Sequence, residues 1–151
     1  MILFFKFFVF VLLTIFLIFF KFFLQLFIKR KSKKIIQIFH KLLLWLININ
    51  VEVLGKSNLI NVPKLYVSNH LSYLDIPVLG STLNGRFVAK NEISNWPIFG
   101  YLSKVGNTIF INRNLRFLKR NKSIIYDFIS KGDSIILFPE GTTSDGIRVL
   151  K

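Results

Sequence analysis

Residues 64–75 read KLYVSNHLSYLD and hold one of the two histidines and one of the seven acidic residues of the chain. The run from Lys64 to Ser68 is short, apolar and partly β-branched or aromatic, and it follows Pro63, so it predicts a buried strand. His70 and Asp75 would then lie at the carboxyl end of a strand, where catalytic groups of α/β folds are usually found.

The spacing of His70 and Asp75 restricts how they can meet. On a continuous helix, residues five apart point about 140° away from each other, at roughly 100° per residue. The two side chains therefore meet only if the backbone turns between them, and Ser72 is a candidate cap for a helix whose first turn carries Asp75. The carboxylate would orient one imidazole nitrogen and leave the other as a base. Taken alone, the stretch favours a simpler interpretation, a loop histidine beside an aspartate at a helix start.

Two later stretches change that interpretation. Residues 106–113 read GNTIFINR, a predicted strand ending in Arg113, and residues 138–144 read FPEGTTS, a strand end that enters a glycine turn. With NHLSYLD before them, in this order and at these separations, they resemble the glycerolipid acyltransferase family, above all the 1-acylglycerol-3-phosphate acyltransferases. The resemblance extends roughly from Trp45 to Lys151. The His-x4-Asp pattern is weakly specific by itself, whereas FPEGT following it is strongly specific.

The resemblance implies transfer of a fatty acyl group from acyl-ACP or acyl-CoA to a lysophospholipid hydroxyl, which would give phosphatidic acid. In such a reaction His70 is the expected base and Asp75 orients it and stabilises the imidazolium. Direct transfer, as the resemblance implies, leaves Ser72 a capping role and makes it a poor candidate for a nucleophile. Arg113 matches the arginine that serves the acceptor phosphate, and Lys90 resembles a second phosphate contact. A solvated surface cation is the alternative for both Arg113 and Lys90.

The third stretch supplies the remaining expected substrate-binding residues, Glu140, Gly141 and Thr142. Glu140 would hydrogen-bond acceptor hydroxyls or brace the loop, and Gly141 permits close backbone approach. The family often has arginine where this chain has Thr143, and aspartate where it has Asn112. The missing cation leaves the acceptor open, so glycerol 3-phosphate and a lyso-ornithine lipid remain alternatives. A catalytically silent membrane lipid-binding protein is a further alternative, against which the intact His70 and Asp75 argue.

The composition of the chain restricts its size class, its metal and cofactor sites and its partners. The chain has 151 residues, enough for one modest domain, and 52% of them are hydrophobic, including 18 phenylalanines. Cysteine is absent, which excludes disulfides and thiolate metal sites, and the two histidines lie far apart, so a metal site is not expected. No cofactor is expected for the acyl transfer that the resemblance implies. The formal net charge is +14, and no acidic residue precedes Glu52. Because the basic cluster adjoins a long apolar run, an anionic membrane is the expected partner and nucleic acid is not.

The N-terminal sequence predicts how the chain meets that membrane. Phe7 to Ile28 is long enough for a span of about 20 residues, although Lys21 interrupts it, and Lys29 to Lys34 follow as a basic cluster. The positive-inside tendency then places the catalytic domain on the cytoplasmic side of the inner (cytoplasmic) membrane. A monotopic hairpin or an interfacial helix is the alternative. The predicted domains are an anchor over residues 1–28, a basic amphipathic interfacial helix over 29–48, and an acyltransferase domain over 49–151.

Alternation of strands and helices after residue 48 predicts an α/β fold with a mixed, largely parallel sheet flanked by helices, preceded by the membrane helix. His40 is expected to be an interfacial side chain on the amphipathic helix. The apolar-aromatic stretch from Trp96 to Tyr101 would line an acyl groove, pack in the core or contact the membrane. The sequence after Ser144 has no terminating pattern, so we expect the chain to be C-terminally incomplete. Strands are predicted at 49–54, 64–68, 86–90, 108–111 and 134–138, and helices at 34–47, 76–83, near 95–105 and at 115–130.

Overall fold

A computed structural model of the chain describes residues 2–27, 33–59 and 62–147. They form an α/β fold whose strands alternate with helices after residue 64. The strands are β1 (Leu65–Val67), β2 (Gly85–Lys90), β3 (Ile109–Ile111) and β4 (Ser134–Leu137). The helices are α1 (Ile2–Phe27), α2 (Lys33–Leu46), α3 (Asp75–Thr82), α4 (Phe99–Val105) and α5 (Leu118–Ser130), and short 3₁₀ turns lie at Lys56–Asn58, Asn91–Asn95 and Leu115–Phe117.

The four strands form one sheet in the order β1-β4-β2-β3, and each neighbouring pair is parallel. The expectation of a mixed sheet is therefore corrected: the described strands are all parallel. The physical reason is that a helical segment follows each of the first three strands and returns the chain to the same starting edge. β4, the last strand among the described residues, lies between β1 and β2 and pairs with both.

The strand predicted over residues 49–54 is wrong. This segment pairs with no strand in the part of the chain that the structure describes. Its side chains do alternate between partly buried and exposed, which is the feature that the sequence pattern detects. Alternating burial needs only an extended backbone with one covered face, whereas a strand also needs a hydrogen-bonded neighbour. The other four predicted strands are confirmed, each to within a few residues.

The core of the sheet lies against α5. Ile135 and Ile136 of β4 are completely buried, because β4 is flanked by two strands. Val88 of β2 and Ile109 of β3 complete the buried centre with Ile135. The apolar side of α5 packs against this cluster through Ile124, Ile125, Phe128 and Ile129.

The chain divides into two compact units, and the sheet belongs to the unit formed by Gly55–Ile76 and Asn84–Lys151. The other unit comprises Met1–Leu54 and Pro77–Leu83. Inside it, the imidazole of His40 on α2 occupies the space that a side chain at Gly80 would need. Gln37 Nε2 donates to the carbonyl of Ser81 at 3.1 Å. His40 is thus buried, 8% exposed, and the expectation of an interfacial His40 is corrected, because the missing side chain of Gly80 admits its ring.

The N-terminal helix α1 has 26 residues, and Lys6 and Lys21 interrupt its apolar sequence. Among residues 2–27, 33–59 and 62–147, no helix is long and apolar enough to cross a membrane. The structure therefore lends no support to the transmembrane helix predicted over Phe7 to Ile28, whose last residue lies outside the described ranges. Most of the basic cluster Lys29 to Lys34 also lies outside them.

Candidate active site

The predicted site residues converge on one edge of the sheet. Because all four strands are parallel, their carboxyl ends lie at the same edge, where ligands bind in open α/β sheets. His70 follows β1, Lys90 ends β2, Arg113 follows β3, and residues 140–142 follow β4. Parallel pairing of strands that are far apart in sequence thus brings the three sequence stretches together.

His70 and Asp75 meet as the spacing required. His70 Nδ1 lies 2.9 Å from Asp75 Oδ2, and a turn over residues 72–74 separates them. Asp75 begins α3, and the hydroxyl of Ser72 accepts a hydrogen bond from the Leu74 N–H at 3.0 Å. Ser72 therefore caps the first turn, as predicted. The turn replaces the continuous helix on which the two side chains would point apart.

The carboxylate of Asp75 is held by three donors at one oxygen. Besides His70, the backbone N–H groups of Leu71 and Ser72 donate to Oδ2 at 2.7 and 3.0 Å. Burial opposes ionisation of Asp75, but the hydrogen bonds from Ser72, His70 and Leu71 outweigh it and lower the pKa of this carboxyl below its ordinary value. An ionised carboxylate only accepts hydrogen bonds, so the proton between the two side chains belongs to His70 Nδ1. In neutral imidazole, Nε2 is then the nitrogen that accepts a proton.

The position of the His70 ring is further restricted by Phe138, the residue that follows β4. The two rings stack at a centroid distance of 4.1 Å and an interplanar angle of 15°. The backbone N–H of Ser144 donates to the carbonyl of His70 at 2.8 Å. Both ends of the FPEGTTS stretch therefore contact the histidine residue.

Arg113 connects the second and third stretches. Its Nη1 donates to the carbonyl of Gly141 at 2.6 Å, and its guanidinium fills the space that a side chain at residue 141 would occupy. Gly141 has a φ of +68°, and its N–H closes a turn onto the Phe138 carbonyl at 3.1 Å. Partial burial lowers the pKa of Arg113, the negative charge of Glu92 offsets part of this effect, and the guanidinium stays protonated. Glycine at 141 thus serves both the turn and the approach of the arginine.

The loop that carries Arg113 is itself held by asparagines. The side chain of Asn112 accepts from the Asn114 N–H at 3.0 Å, which makes a local turn. Buried Asn121 on α5 donates from Nδ2 to the Asn112 carbonyl at 2.6 Å. Asn121 was not predicted as a site residue. The sequence feature that could have indicated it is a polar residue at a core-facing position of an amphipathic helix.

The remaining predicted residues, Lys90, Glu140 and Thr142, lie on the same edge. Lys90 is partly buried and pairs in register with Ile111 of β3, and Glu140 and Thr142 flank Gly141. Core packing does not explain residues 96–99 and Tyr101, because all of them are exposed. Within the described ranges, no group of three or more metal-ligating side chains is present.

Comparisons with known proteins identify the family of this chain. The sequence model of the family described as Acyltransferase matches residues 50–151. The lyso-ornithine lipid O-acyltransferase of Brucella abortus is 36% identical over 136 residues, which cover 85% of this chain and 49% of the relative. The 1-acyl-sn-glycerol-3-phosphate acyltransferase of Neisseria meningitidis is 34% identical over 87 residues, covering 57% of this chain and 34% of the relative.

A solved structure agrees with the sequence comparisons. The crystal structure of the 1-acyl-sn-glycerophosphate (LPA) acyltransferase PlsC from Thermotoga maritima superposes with a TM-score of 0.66 at 26% identity. The match covers 96% of this chain and 66% of that protein. The chain spans about half the length, or less, of the curated relatives named above.

Proposed function

We propose a specific reaction for this chain, which belongs to the acyltransferase family. It moves a fatty acyl group from a thioester donor, acyl-ACP or acyl-CoA, to the hydroxyl of a lysolipid. The observation that carries the proposal is the His70–Asp75 contact at 2.9 Å, with the carboxylate also held by two backbone N–H groups.

The proposed chemistry follows from the protonation of that pair. Nε2 of His70 removes the proton of the acceptor hydroxyl while the oxygen attacks the thioester carbonyl. The tetrahedral intermediate collapses with cleavage of the carbon–sulfur bond, and the imidazolium returns its proton to the thiolate. Asp75 keeps Nδ1 protonated and stabilises the imidazolium charge, so that His70 acts first as a base and then as an acid.

Arg113 is proposed to bind the anionic group of the acceptor. One N–H of Nη1 is used by the Gly141 carbonyl, and a guanidinium has five N–H donors, so a two-point contact with an anion is still available. Lys90, Glu140 and Thr142 share the edge and are proposed to complete the acceptor site. Glu140 would contact a hydroxyl or ammonium group, and Lys90 a second anionic oxygen.

We take 1-acylglycerol-3-phosphate as the first acceptor, with phosphatidic acid as the product. A lyso-ornithine lipid is the second candidate, favoured by two observations. Thr143 removes a cation from the third stretch, and relatives at 36–39% identity carry the name lyso-ornithine lipid O-acyltransferase. The ornithine headgroup offers one carboxylate and one ammonium, so it needs fewer protein cations than a phosphate dianion.

The proposed place of the reaction is the surface of an anionic membrane, with the catalytic part on its cytoplasmic side. On α2, Ile38, Leu42 and Trp45 are exposed at helical spacing beside exposed Lys34 and Lys41. An apolar stripe next to cations is the pattern of a helix that lies in the membrane interface. This helix supports interfacial attachment, the alternative to a spanning anchor.

One assay tests the proposed reaction. Purified chain is given labelled acyl-ACP or acyl-CoA with lysophosphatidic acid, lyso-ornithine lipid or glycerol 3-phosphate, and the lipid products are separated. We expect ester formation with a lysolipid and none with the His70→Ala variant. Transfer only to glycerol 3-phosphate would contradict the lysolipid proposal, and transfer that persists in the variant would contradict the mechanism.

A further inference from the structure

We propose that the sheet unit carries its own docking surface for an anionic lipid bilayer, on the edge that holds His70. This docking surface consists of two parts that follow neighbouring strands: Trp96, Ile98, Phe99 and Tyr101 after β2, and Arg116, Lys119 and Arg120 after β3. Its purpose depends on the proposed function, since a membrane-borne acceptor must reach that edge. Its existence does not, because lipid binding can be measured without acyl transfer.

The apolar half of the docking surface lies within one short segment. Trp96, Ile98, Phe99 and Tyr101 are 45%, 64%, 60% and 50% exposed. Contiguous exposed apolar side chains on a protein mark a binding surface. Tryptophan and tyrosine are the residues enriched at the boundary between lipid and water, where one end of the ring is apolar and the other is hydrated.

The exposure of these side chains is built into the backbone. Gly100 N–H donates to the Trp96 carbonyl at 3.0 Å, and Leu102 N–H donates to the Ile98 carbonyl at 2.8 Å. Gly100 packs so closely on the carbonyls of Ile93 and Ser94 that a side chain there would collide with them. Ile98 has a φ of +60°, which is unusual for a β-branched residue. Such a conformation persists only where the surrounding contacts impose it, so the turn that carries the exposed side chains is fixed by its packing on residues 93 and 94.

The charged half of the docking surface follows β3, the strand next to β2. β2 and β3 pair in register through Lys90 and Ile111, so the segments that follow them leave the sheet side by side. Arg116, Lys119 and Arg120 lie in the turn before α5 and in its first residues, and all three are exposed. Between Asp75 and Asp127 the one acidic residue is Glu92, whose charge acts on Arg113. The edge therefore presents exposed cations as well as the apolar segment, and each cation can raise the affinity for an anionic surface about fivefold.

An anionic bilayer can bind the apolar side chains and the cations of the docking surface at the same time. An acidic carrier protein would match the cations but leave the apolar side chains in water. A second copy of the chain would cover the apolar side chains but bring a net charge of +14 against the same sign. A bilayer accepts the aromatic side chains at the level of its headgroups and pairs the cations with its phosphates. It also brings the headgroup of a lysolipid to the edge on which Arg113 lies.

The two tryptophans of the chain make the test specific, because either can be removed. In the Trp45→Phe variant, Trp96 is the sole tryptophan of the full chain. This variant is placed in nanodiscs of phosphatidylcholine with or without phosphatidylglycerol, and the lipid carries bromine near the headgroup as a contact quencher. Disc-bound chain is isolated by size exclusion before each measurement, so the fluorescence reports Trp96 of the sheet unit in protein that is already attached. Two matched charge variants are compared: Arg116→Gln/Arg120→Gln, and Lys104→Gln/Lys131→Gln at the opposite ends of α4 and α5.

We expect bromine to remove half or more of the Trp96 emission in anionic discs, since an interfacial apolar surface lies roughly 5–10 Å into the boundary region. Arg116→Gln/Arg120→Gln should raise several-fold the phosphatidylglycerol fraction needed for half of that quenching, and Lys104→Gln/Lys131→Gln should not. Trp96 that stays open to aqueous iodide in every disc would overturn the proposal. Shielding of Trp96 that increases with protein concentration, without quenching by bromine, would also overturn the proposal, because it would indicate contact with a second copy of the chain. Charge loss that lowers transfer from acyl-ACP but leaves the quenching unchanged would assign the cations to the carrier protein instead.

Discussion

The guanidinium of Arg113 occupies the space that a side chain at residue 141 would need, and its Nη1 donates to the Gly141 carbonyl at 2.6 Å. The two residues lie 28 positions apart and follow strands that are not neighbours in the sheet. The arginine proposed to bind the acceptor is therefore held by the loop that carries Glu140 and Thr142. A substitution at either residue should therefore alter the position of the other.

Gly141→Ala is expected to raise the acceptor KM far more than the donor KM, because its methyl group displaces the guanidinium of Arg113. Arg113→Ala should have the same effect, with partial rescue by Arg113→Lys, which lacks the bidentate geometry. Together the two alanine substitutions should be non-additive, with a coupling of about 0.5–3 kcal/mol in a double-mutant cycle on kcat/KM.

Gly132→Ala is the matched control for this cycle. Gly132 also has a positive φ, +86°, but among the described residues no atom beyond its two chain neighbours lies within 4 Å of the position that its side chain would take. It reports the cost of backbone strain alone, and it should lower stability without changing the acceptor KM. Strict additivity of Gly141→Ala and Arg113→Ala would contradict the role given to their contact.

His70→Ala should abolish most acyl transfer, since a positioned general base contributes about 10²–10⁴-fold. Asp75→Asn should also be severe, because an amide can donate to Nδ1 and favour the wrong tautomer; the same change in a serine protease triad costs about 10⁴-fold. Single-turnover rates with saturating donor measure both effects. Transfer by His70→Ala within tenfold of the unmodified chain, a margin small against the roughly 10²–10⁴-fold contribution of a base, would exclude it as the base.

Ser72→Ala separates capping from nucleophilic catalysis. Because the Ser72 hydroxyl accepts the Leu74 N–H, its loss should lower the free energy of unfolding by about 1 kcal/mol. Acyl transfer should persist in the folded protein. Loss of transfer as complete as in His70→Ala, with stability unchanged, would instead indicate an acyl-serine intermediate.

Buried His40 should make stability depend on pH below neutrality. Burial lowers the pKa of His40 below its ordinary 6.5, and a hydrogen bond with the Gly80 backbone offsets part of this effect. The unfolded chain therefore binds the proton first, so the stabilisation is complete above pH 6.5 and declines as the pH falls toward the folded-state pKa. Asp75, whose pKa is also lowered but from 3.8, keeps its contribution throughout this range.

Thermal unfolding in mild detergent between pH 5 and pH 8 measures this effect. His40→Gln fills a similar volume without titrating near neutrality, so its midpoint should change less with pH than that of the unmodified chain. Equal pH dependence in the two proteins would show that other groups govern stability in this range.

Asp133→Asn should destabilise the sheet unit without impairing its chemistry. Arg86 Nε donates to Asp133 Oδ2 at 2.6 Å, Nη1 donates to the Asn107 carbonyl at 3.2 Å, and the guanidinium lies 4.8 Å from the Phe128 ring centroid. Both charged side chains are largely buried, so removal of one charge should lower the free energy of unfolding by about 1–3 kcal/mol. Urea unfolding measures this loss.

The control for Asp133→Asn is the activity of the protein that stays folded. Arg86 lies near the start of β2 and Asp133 directly precedes β4, so the pair occupies the edge opposite to His70. At low denaturant, kcat and both KM values should therefore be unchanged. A selective rise of the acceptor KM would show that this ion pair influences the site across the sheet.

The sequence alone predicted the elements that depend on local patterns. The four strands were predicted from the apolar runs around Tyr66, Val88, Phe110 and Ile136, because a short buried strand can be recognised from the pattern of a few residues. The meeting of His70 and Asp75 was also predictable, since a cap and a five-residue spacing leave few backbone paths. The order of the three stretches along the chain was enough to indicate the family.

Other features were decided only by tertiary structure, because they depend on contacts between residues far apart in sequence. Periodicity within one segment does not specify which strand will be its neighbour. Neither the insertion of β4 between β1 and β2 nor the lack of a partner strand for residues 49–54 among the described residues could therefore be predicted. The burial of His40 depended on a gap left by Gly80, forty positions later. The contact of Arg113 with Gly141 and the support of the Asn112 carbonyl by Asn121 required the packed sheet, whose parallel order brings the ends of separate strands to one edge.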